Sequence, residues 1–196
     1  MRGHVANVVV SGTGSSRTVT VTPAANGFGS STVTITVTDL ANASASESFV
    51  VNVTSINDAP TIGTITDLTI DEDTNTGDIA FSVGDIETAA GSLVVFGSSS
   101  NTSLVPGASI FISGTGANRT VRVTPAANQS GTTTITLTVN DADGGTSTSS
   151  FLLTVNAVND APTITAIADQ TIDEDTNTGD LTFTVGDVED GAANLT

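Results

Sequence analysis

Much of the chain alternates, with an apolar residue at every second place. Thr18-Val19-Thr20-Val21-Thr22, Thr32-Val33-Thr34-Ile35-Thr36-Val37 and Thr132 to Val139 (TTTITLTV) all follow period two. That period sends one set of side chains to each face of a strand, and Val, Ile and Thr suit a pleated surface with one side buried. No stretch has a helical period with caps. Between residues 58 and 159 the pattern predicts strands near 62–70 (A, in one piece or two), 78–83 (B), 92–97 (C), 108–113 (D), 119–124 (E), 132–139 (F) and 149–156 (G). Gly, Asn, Asp and Pro turns separate them.

The pattern also recurs. Asn57-Asp58-Ala59-Pro60 returns as Asn159-Asp160-Ala161-Pro162, an offset of 102 residues (162 − 60). TIDEDTNTGD stands at Thr69–Asp78 and again at Thr171–Asp180, and SGTGSSRTVTVTPAAN at Ser11–Asn26 matches SGTGANRTVRVTPAAN at Ser113–Asn128. The chain is therefore a window on a tandem array. It holds the C-terminal part of a first repeat (1–57), a complete repeat (58–159) and the N-terminal part of a third (160–196). Seven short strands per repeat predict an all-β fold of tandem immunoglobulin-like Greek-key β-sandwiches. Two readings of the part-repeats follow. Either the window is an excerpt from a longer array, or the two parts complete each other between chains, head to tail.

Composition narrows the function. Of 196 residues only 4 are basic, all arginine, against 21 Asp and Glu, a net charge of −17. Nucleic-acid binding, which needs a cationic footprint, is set aside. With no Cys there are no disulfides or thiolate metal sites, and one histidine, His4, leaves no zinc cluster and no Ser-His-Asp relay. The 7 Phe are the only aromatics, too few for sugar-stacking platforms, and no apolar run is long enough to span a membrane. The carboxylates are adjacent in sequence or sit at domain ends with no aromatic-lined cleft, so the chain is not expected to be an enzyme. Arg17 and Arg119 share a repeat position before strand E and predict a structural ion pair.

The acids gather at loops. In the complete repeat they are Asp58, Asp71-Glu72-Asp73, Asp85 with Glu87, and Asp141 with Asp143. In a seven-strand sandwich the B–C and F–G loops lie where the chain enters and the A–B loop where it leaves. Asp85, Glu87, Asp141 and Asp143 are thus expected around the entering linker, Asn57-Asp58. Asp71, Glu72 and Asp73 are expected to point at the next linker, Asn159-Asp160, and beyond it at Asp187, Glu189 and Asp190. A lysine-free chain has no local cation to offset such crowding. A hard divalent ion does, and Ca2+, with 6 to 8 oxygen ligands, fits carboxylates and Asn carbonyls better than Mg2+. The alternative is that these Asp and Asn residues only close Asx turns and are solvated. The EF-hand spacing is absent.

VNDAPTI at the linker, the acidic A–B turn, GDIE and GDVE, TPAANQSG and VNDADGG resemble the bacterial cadherin-like and immunoglobulin-like tandem repeats of large calcium-dependent surface adhesins of the RTX type. The resemblance covers nearly the whole chain. It implies a linker of Asn159 and Asp160, a base of Glu72 and Asp73, and Asp187 with Glu189 as the D-x-D element of the next domain. It implies further a secreted extender segment of a bacterial cell-surface adhesin, stiffened by Ca2+ at the linkers, with neighbouring repeats as its partners. One departure is visible: Asp39-Leu40-Ala41 stands where the complete repeat has Asp141-Ala142-Asp143, removing one ligand. Two rival expectations are a self-assembling extracellular filament subunit whose identical chains join head to tail, and a module binding a glycan or host protein, which the scarcity of aromatics weakens.

Overall fold

The computed structural model describes residues 4–196, the side chain of residue 192 apart. Residues 4–57 form two antiparallel hairpins, β1 (Val5–Ser11) with β2 (Thr18–Pro23) and β3 (Gly29–Thr38) with β4 (Ser44–Val53). Next come β5 (Thr61–Ile62), β6 (Leu68–Asp71), β7 (Ile79–Gly84), β8 (Val94–Ser99), β9 (Ile110–Thr115), β10 (Asn118–Val123), β11 (Gly131–Asn140) and β12 (Thr146–Asn156). They make two four-stranded sheets, ordered β5-β7-β10-β9 and β6-β12-β11-β8. Beyond them only β13 (Thr163–Ile164) and β14 (Val185–Gly186) pair. Among the described residues the only helical turns are two short 3-10 segments, Gly107–Ser109 and Ala192–Asn194.

Strand A is split. β5 joins one sheet by pairing with β7, and β6 joins the other by running parallel to β12. Where the chain crosses over, Gly63 donates its N–H to the Ser82 carbonyl (2.8 Å) and Asp67 Oδ1 accepts the Leu152 N–H (2.8 Å). A side-chain acceptor thus replaces the ladder at the crossover.

The core follows the alternation. Ile135, Leu137 and Val139 of β11 and Leu153 and Val155 of β12 face Val121 and Val123 of β10 and Phe81 and Val83 of β7. Arg119 at the start of β10 ties the loops down through carbonyls rather than an ion pair. Its guanidinium donates to Gly116 (3.0 Å), Gly114 (3.1 Å) and Ala90 (3.0 Å), fixing the B–C loop to the β9–β10 hairpin. The expected ion pair instead belongs to Arg122, whose guanidinium meets Asp78 at 2.8 Å. Gly114 has φ +94°, and a Cβ there would lie 2.5 Å from the Asn118 carbonyl oxygen, so glycine is required at this turn.

The hairpins of residues 4–57 repeat those of the complete sandwich in register. Val10 pairs Val19 as Ile112 pairs Val121, and Val33 pairs Phe49 as Ile135 pairs Phe151. Among the described residues no β7 or β6 counterpart covers them, however, and Val37 is 68% exposed where its counterpart Val139 is fully buried. Leu137→Ala should therefore cost about 2–5 kcal/mol, whereas Val37→Ala should cost under about 0.5 kcal/mol, as a surface change does. Chemical denaturation followed by circular dichroism checks both.

Candidate metal centre

Three loops meet the linker where the chain enters the complete sandwich. Asp85 follows β7, and its Oδ1 accepts the N–H groups of Glu87 (2.9 Å) and Thr88 (2.6 Å). Glu87 Oε2 in turn accepts the Asp58 N–H at 3.1 Å. Asp141 closes the β11–β12 turn, its Oδ1 accepting the N–H groups of Asp143 (2.9 Å) and Gly145 (2.7 Å), while its Oδ2 accepts the Asn57 amide at 3.0 Å. Asn57, Asp58, Asp85, Glu87, Asp141 and Asp143 are thereby brought to one end. Around Glu87 the linker leaves a cleft of about 340 Å³, closed on the far side by Phe28 and Ile56.

The leaving end is built by the A–B turn. Glu72 is 5% exposed, and its Oε1 accepts the Val158 N–H at 2.7 Å, so a buried carboxylate grips the next linker by its backbone. Two residues on, the Asp160 N–H goes to Glu189 Oε2 (3.0 Å), repeating the Asp58–Glu87 bond, and Asp187 Oδ1 accepts the N–H groups of Glu189 (3.0 Å) and Asp190 (2.9 Å). Asn159 turns its amide to the Asp160 carbonyl at 2.7 Å. Asp73 is engaged elsewhere. It has φ 59°, and its Oδ1 accepts the Asn128 N–H at 3.0 Å, tying the A–B turn to the β10–β11 turn.

Bacterial Ig domains, as a family, match residues 57–154. This chain belongs to the bacterial Ig domain family. No curated protein sequence matches it. Among solved structures, extracellular cadherin domains 3–6 of protocadherin gamma B2 align over 89% of this chain and 44% of theirs, at 15% identity and a TM-score of 0.52. The surface layer protein SbsC, domains 4–9, aligns over 86% and 25% at 18% identity and a TM-score of 0.40. Titin domains z1z2, in a complex with telethonin, align over 57% and 55% at 16% identity and a TM-score of 0.38. The chain thus spans about half or less of these solved fragments, and the likeness to the protocadherin is one of fold.

Each acidic turn of this bacterial Ig domain uses its carboxylate twice. One oxygen of Asp85, Asp141 and Asp187 braces the turn through backbone N–H groups. The second oxygen is left for the linker or for a ligand. Asp85 Oδ2 and Asp160 Oδ2 are buried and accept no hydrogen bond, a state that costs free energy unless a donor or cation is supplied. The donors around them are all hard oxygens, the set calcium takes. Yet among the described residues no three His, Asp or Glu side chains stand close enough to form a metal-holding group. The donor chemistry fits; the donors are gathered at each junction without being closed into a cage.

The repeat pattern also hid one requirement. A Cβ at Gly145 would collide with Asp141 Oδ2 and stand 3.1 Å from Asn57 Nδ2, so only glycine lets the linker amide reach the turn. The first repeat has Ala43 at that position, beside the already missing acid at Ala41. Comparing Asn42-Ala43 with Gly144-Gly145 carries this signal in the sequence itself.

Asp141 is held below the ordinary carboxylate value of 3.8, first by the Asn57 amide and then by the backbone N–H groups of Gly145, Asp143 and Gly144, which together outweigh the upward push of burial. A depressed folded-state pKa stabilises fully above the unfolded value, and that contribution is lost as the pH falls through the folded one. Gly145→Ala and Asn57→Ala should each raise the Asp141 pKa toward 3.8. Carboxyl carbon NMR titration reads the shift directly, and an unmoved titration would show that the linker amide does not hold this carboxylate.

Proposed function

We propose that this chain is an extender segment of a secreted bacterial cell-surface protein, non-enzymatic, whose Ig repeats are held end to end by Ca2+ at their linkers. The observation that carries the reading is the gathering of carboxylates on each linker, from the complete repeat at Asn57-Asp58 and from both neighbours at Asn159-Asp160, with Asp85 Oδ2 and Asp160 Oδ2 buried and unpartnered. An adhesin role fits the same arrangement, because a tether needs reach and stiffness rather than a catalytic pocket.

When bound, calcium supplies a divalent charge that accepts about 6–8 oxygen ligands at roughly 2.3–2.6 Å. Asp58, Asp85, Glu87, Asp141 and Asp143 would hold it at the entering end, with Asn57 contributing its amide oxygen. Glu72, Asn159, Asp160, Asp187 and Glu189 would hold it at the leaving end, Asp73 being turned to Asn128. The N–H grips of Glu72 on Val158 and Glu189 on Asp160 already orient the linker from both sides. Because the carboxylates are near one another but not caged, drawing them together and fixing the linker are one event. Glu72 and Glu189 otherwise meet at one linker with no lysine in the chain to offset them, and their repulsion favours a loose joint.

Calcium should therefore raise the unfolding free energy of the chain, by about 2.7 kcal/mol at a hundredfold excess over Kd, and should lengthen and narrow the particle seen by small-angle scattering. Glu72→Gln and Asp85→Asn should each weaken binding by roughly tenfold or more, as loss of a group that holds or orients a metal does. Titration calorimetry with no heat, an unfolding midpoint that calcium leaves alone and a scattering curve identical in chelator would together sink the reading.

A further inference from the structure

We propose that edge strand β8 of the complete sandwich pairs with β8 of a second copy of this chain, antiparallel about a two-fold axis, so that two repeats join side by side. Each of the two sheets has two edges, and three of these four edge strands are blunted. β5 is only two residues long, and β6 follows Asp67 and ends at Asp71. On β9, Phe111 stands opposite Arg122, which is paired with Asp78. Short strands and charges of this kind keep an edge from templating another strand. β8 has neither device. Val94–Ser99 reads VVFGSS, without charge or proline, and among the described residues it pairs with β11 alone.

The phase of the ladder fixes what this edge offers. Ser100 donates its N–H to the Thr134 carbonyl of β11 at 3.0 Å. Backbone groups alternate sides along an antiparallel strand, so Ser98, Phe96 and Val94 also turn theirs to β11, and those of Val95 and Gly97 point out from the free edge. Side chains alternate between the faces as well. Val95 packs on the core, and Gly97 leaves room for Ile110 of β9, whose Cγ2 would stand 2.5 Å from a Cβ there. Val94 and Phe96 lie on the outer face, 61% and 47% exposed. In one register Val95 of each copy exchanges both backbone hydrogen bonds with Gly97 of the other. Phe96 then sits on the two-fold axis opposite the Phe96 of the second copy, in a non-hydrogen-bonded pair about 4.5 Å apart at Cα, where side chains approach most closely. Aromatic pairs opposed in this way stabilise a sheet. Val94 faces Ser98 of the second copy.

Charge selects the second copy as the occupant. The chain carries a net charge of −17, yet no charged residue stands between Glu87 and Arg119, the longest such stretch it has, and β8 lies within it. The neighbouring strands β11 (Gly131–Asn140) and β12 (Thr146–Asn156) are uncharged too. Two copies that repel one another elsewhere therefore meet here without opposing charges. A cationic partner would instead be drawn to the acidic loops at the two ends. A neutral edge bearing Val94 and Phe96 is complementary to itself, and a self-complementary patch makes an isologous, closed pair. The paired copies run in opposite directions, and the contact uses the side of the sandwich, away from the linkers, so it does not depend on calcium.

Sedimentation of the chain over a concentration series in chelator tests this apart from the metal reading. The expected result is a mass that rises toward twice that of one chain, and further at high salt, because screening weakens the repulsion between the acidic remainders. Phe96→Lys should weaken the association by about tenfold or more, because it sets two like charges opposite each other, while the unfolding transition of the sandwich stays where it is. The register has its own readout, since the chain has no cysteine. Under mild oxidation Phe96→Cys should link to itself, whereas Ser98→Cys and Val94→Cys should each stay single and link to one another when mixed. A chain that keeps the mass of one copy to the highest concentration while its Phe96→Cys form stays unlinked overturns the proposal and leaves the edge to an extended segment of another protein. Association that Phe96→Lys leaves unchanged, or Ser98→Cys that links to itself as fast as Phe96→Cys, overturns it equally.

Discussion

A two-layer sheet protein stands or falls on whether both apolar faces are covered. In the complete repeat this condition is met from the two ends of the sequence, because β6 and β7 come from its N-terminal third and close over β10, β11 and β12 from its C-terminal half. Everything else at the junctions follows from that closure. It brings the B–C and F–G loops to the entering linker and the A–B turn to the leaving one, and so decides where the carboxylates accumulate. The hairpins of residues 4–57 show the same strands with the condition unmet: their registers persist, but Val19 and Val37 lie open where Val121 and Val139 are buried.

The acids are better understood as dual-purpose groups than as a bare cluster. Asp39 and Asp141 close the same turn in two repeats, each with one carboxylate oxygen receiving two backbone N–H groups. In the complete repeat the other oxygen goes on to hold a linker amide. The turn-closing role and the linker-facing role therefore use separate oxygens, and the second of them needs Gly145, where a Cβ would collide with Asp141 Oδ2.

Strand type and order were legible because period-two alternation is a direct record of which face is buried. Strands F and G, expected at 132–139 and 149–156, are β11 at Gly131–Asn140 and β12 at Thr146–Asn156. The errors have local causes. Strand D was expected at 108–113 but starts at Ile110, because Pro106 opens a turn in which the Ser109 N–H meets its carbonyl at 2.8 Å. Strand C starts at Val94 rather than 92, because Ser92 is held in a turn by Ala89 at 2.8 Å. The convergence of loops on linkers was legible from topology and the repeat. Side-chain partners were not: Arg119 takes carbonyls where an ion pair was expected, and Asp73 turns to Asn128 instead of joining Glu72 at the linker. Such choices depend on distances of a few tenths of an ångström that spacing along a chain does not encode.

The parallel pairing of β6 with β12 has a mechanical side. These strands adjoin opposite ends of the repeat, so tension along an array enters through one and leaves through the other. Leu68 to Asp71 lie beside Leu153 to Asn156 as four register pairs running in the same direction. A pull on the two ends loads those pairs together in shear, instead of peeling them open one after another as in a hairpin pulled at its open end. The repeat resists extension collectively, a property set by strand direction and independent of what occupies the junctions.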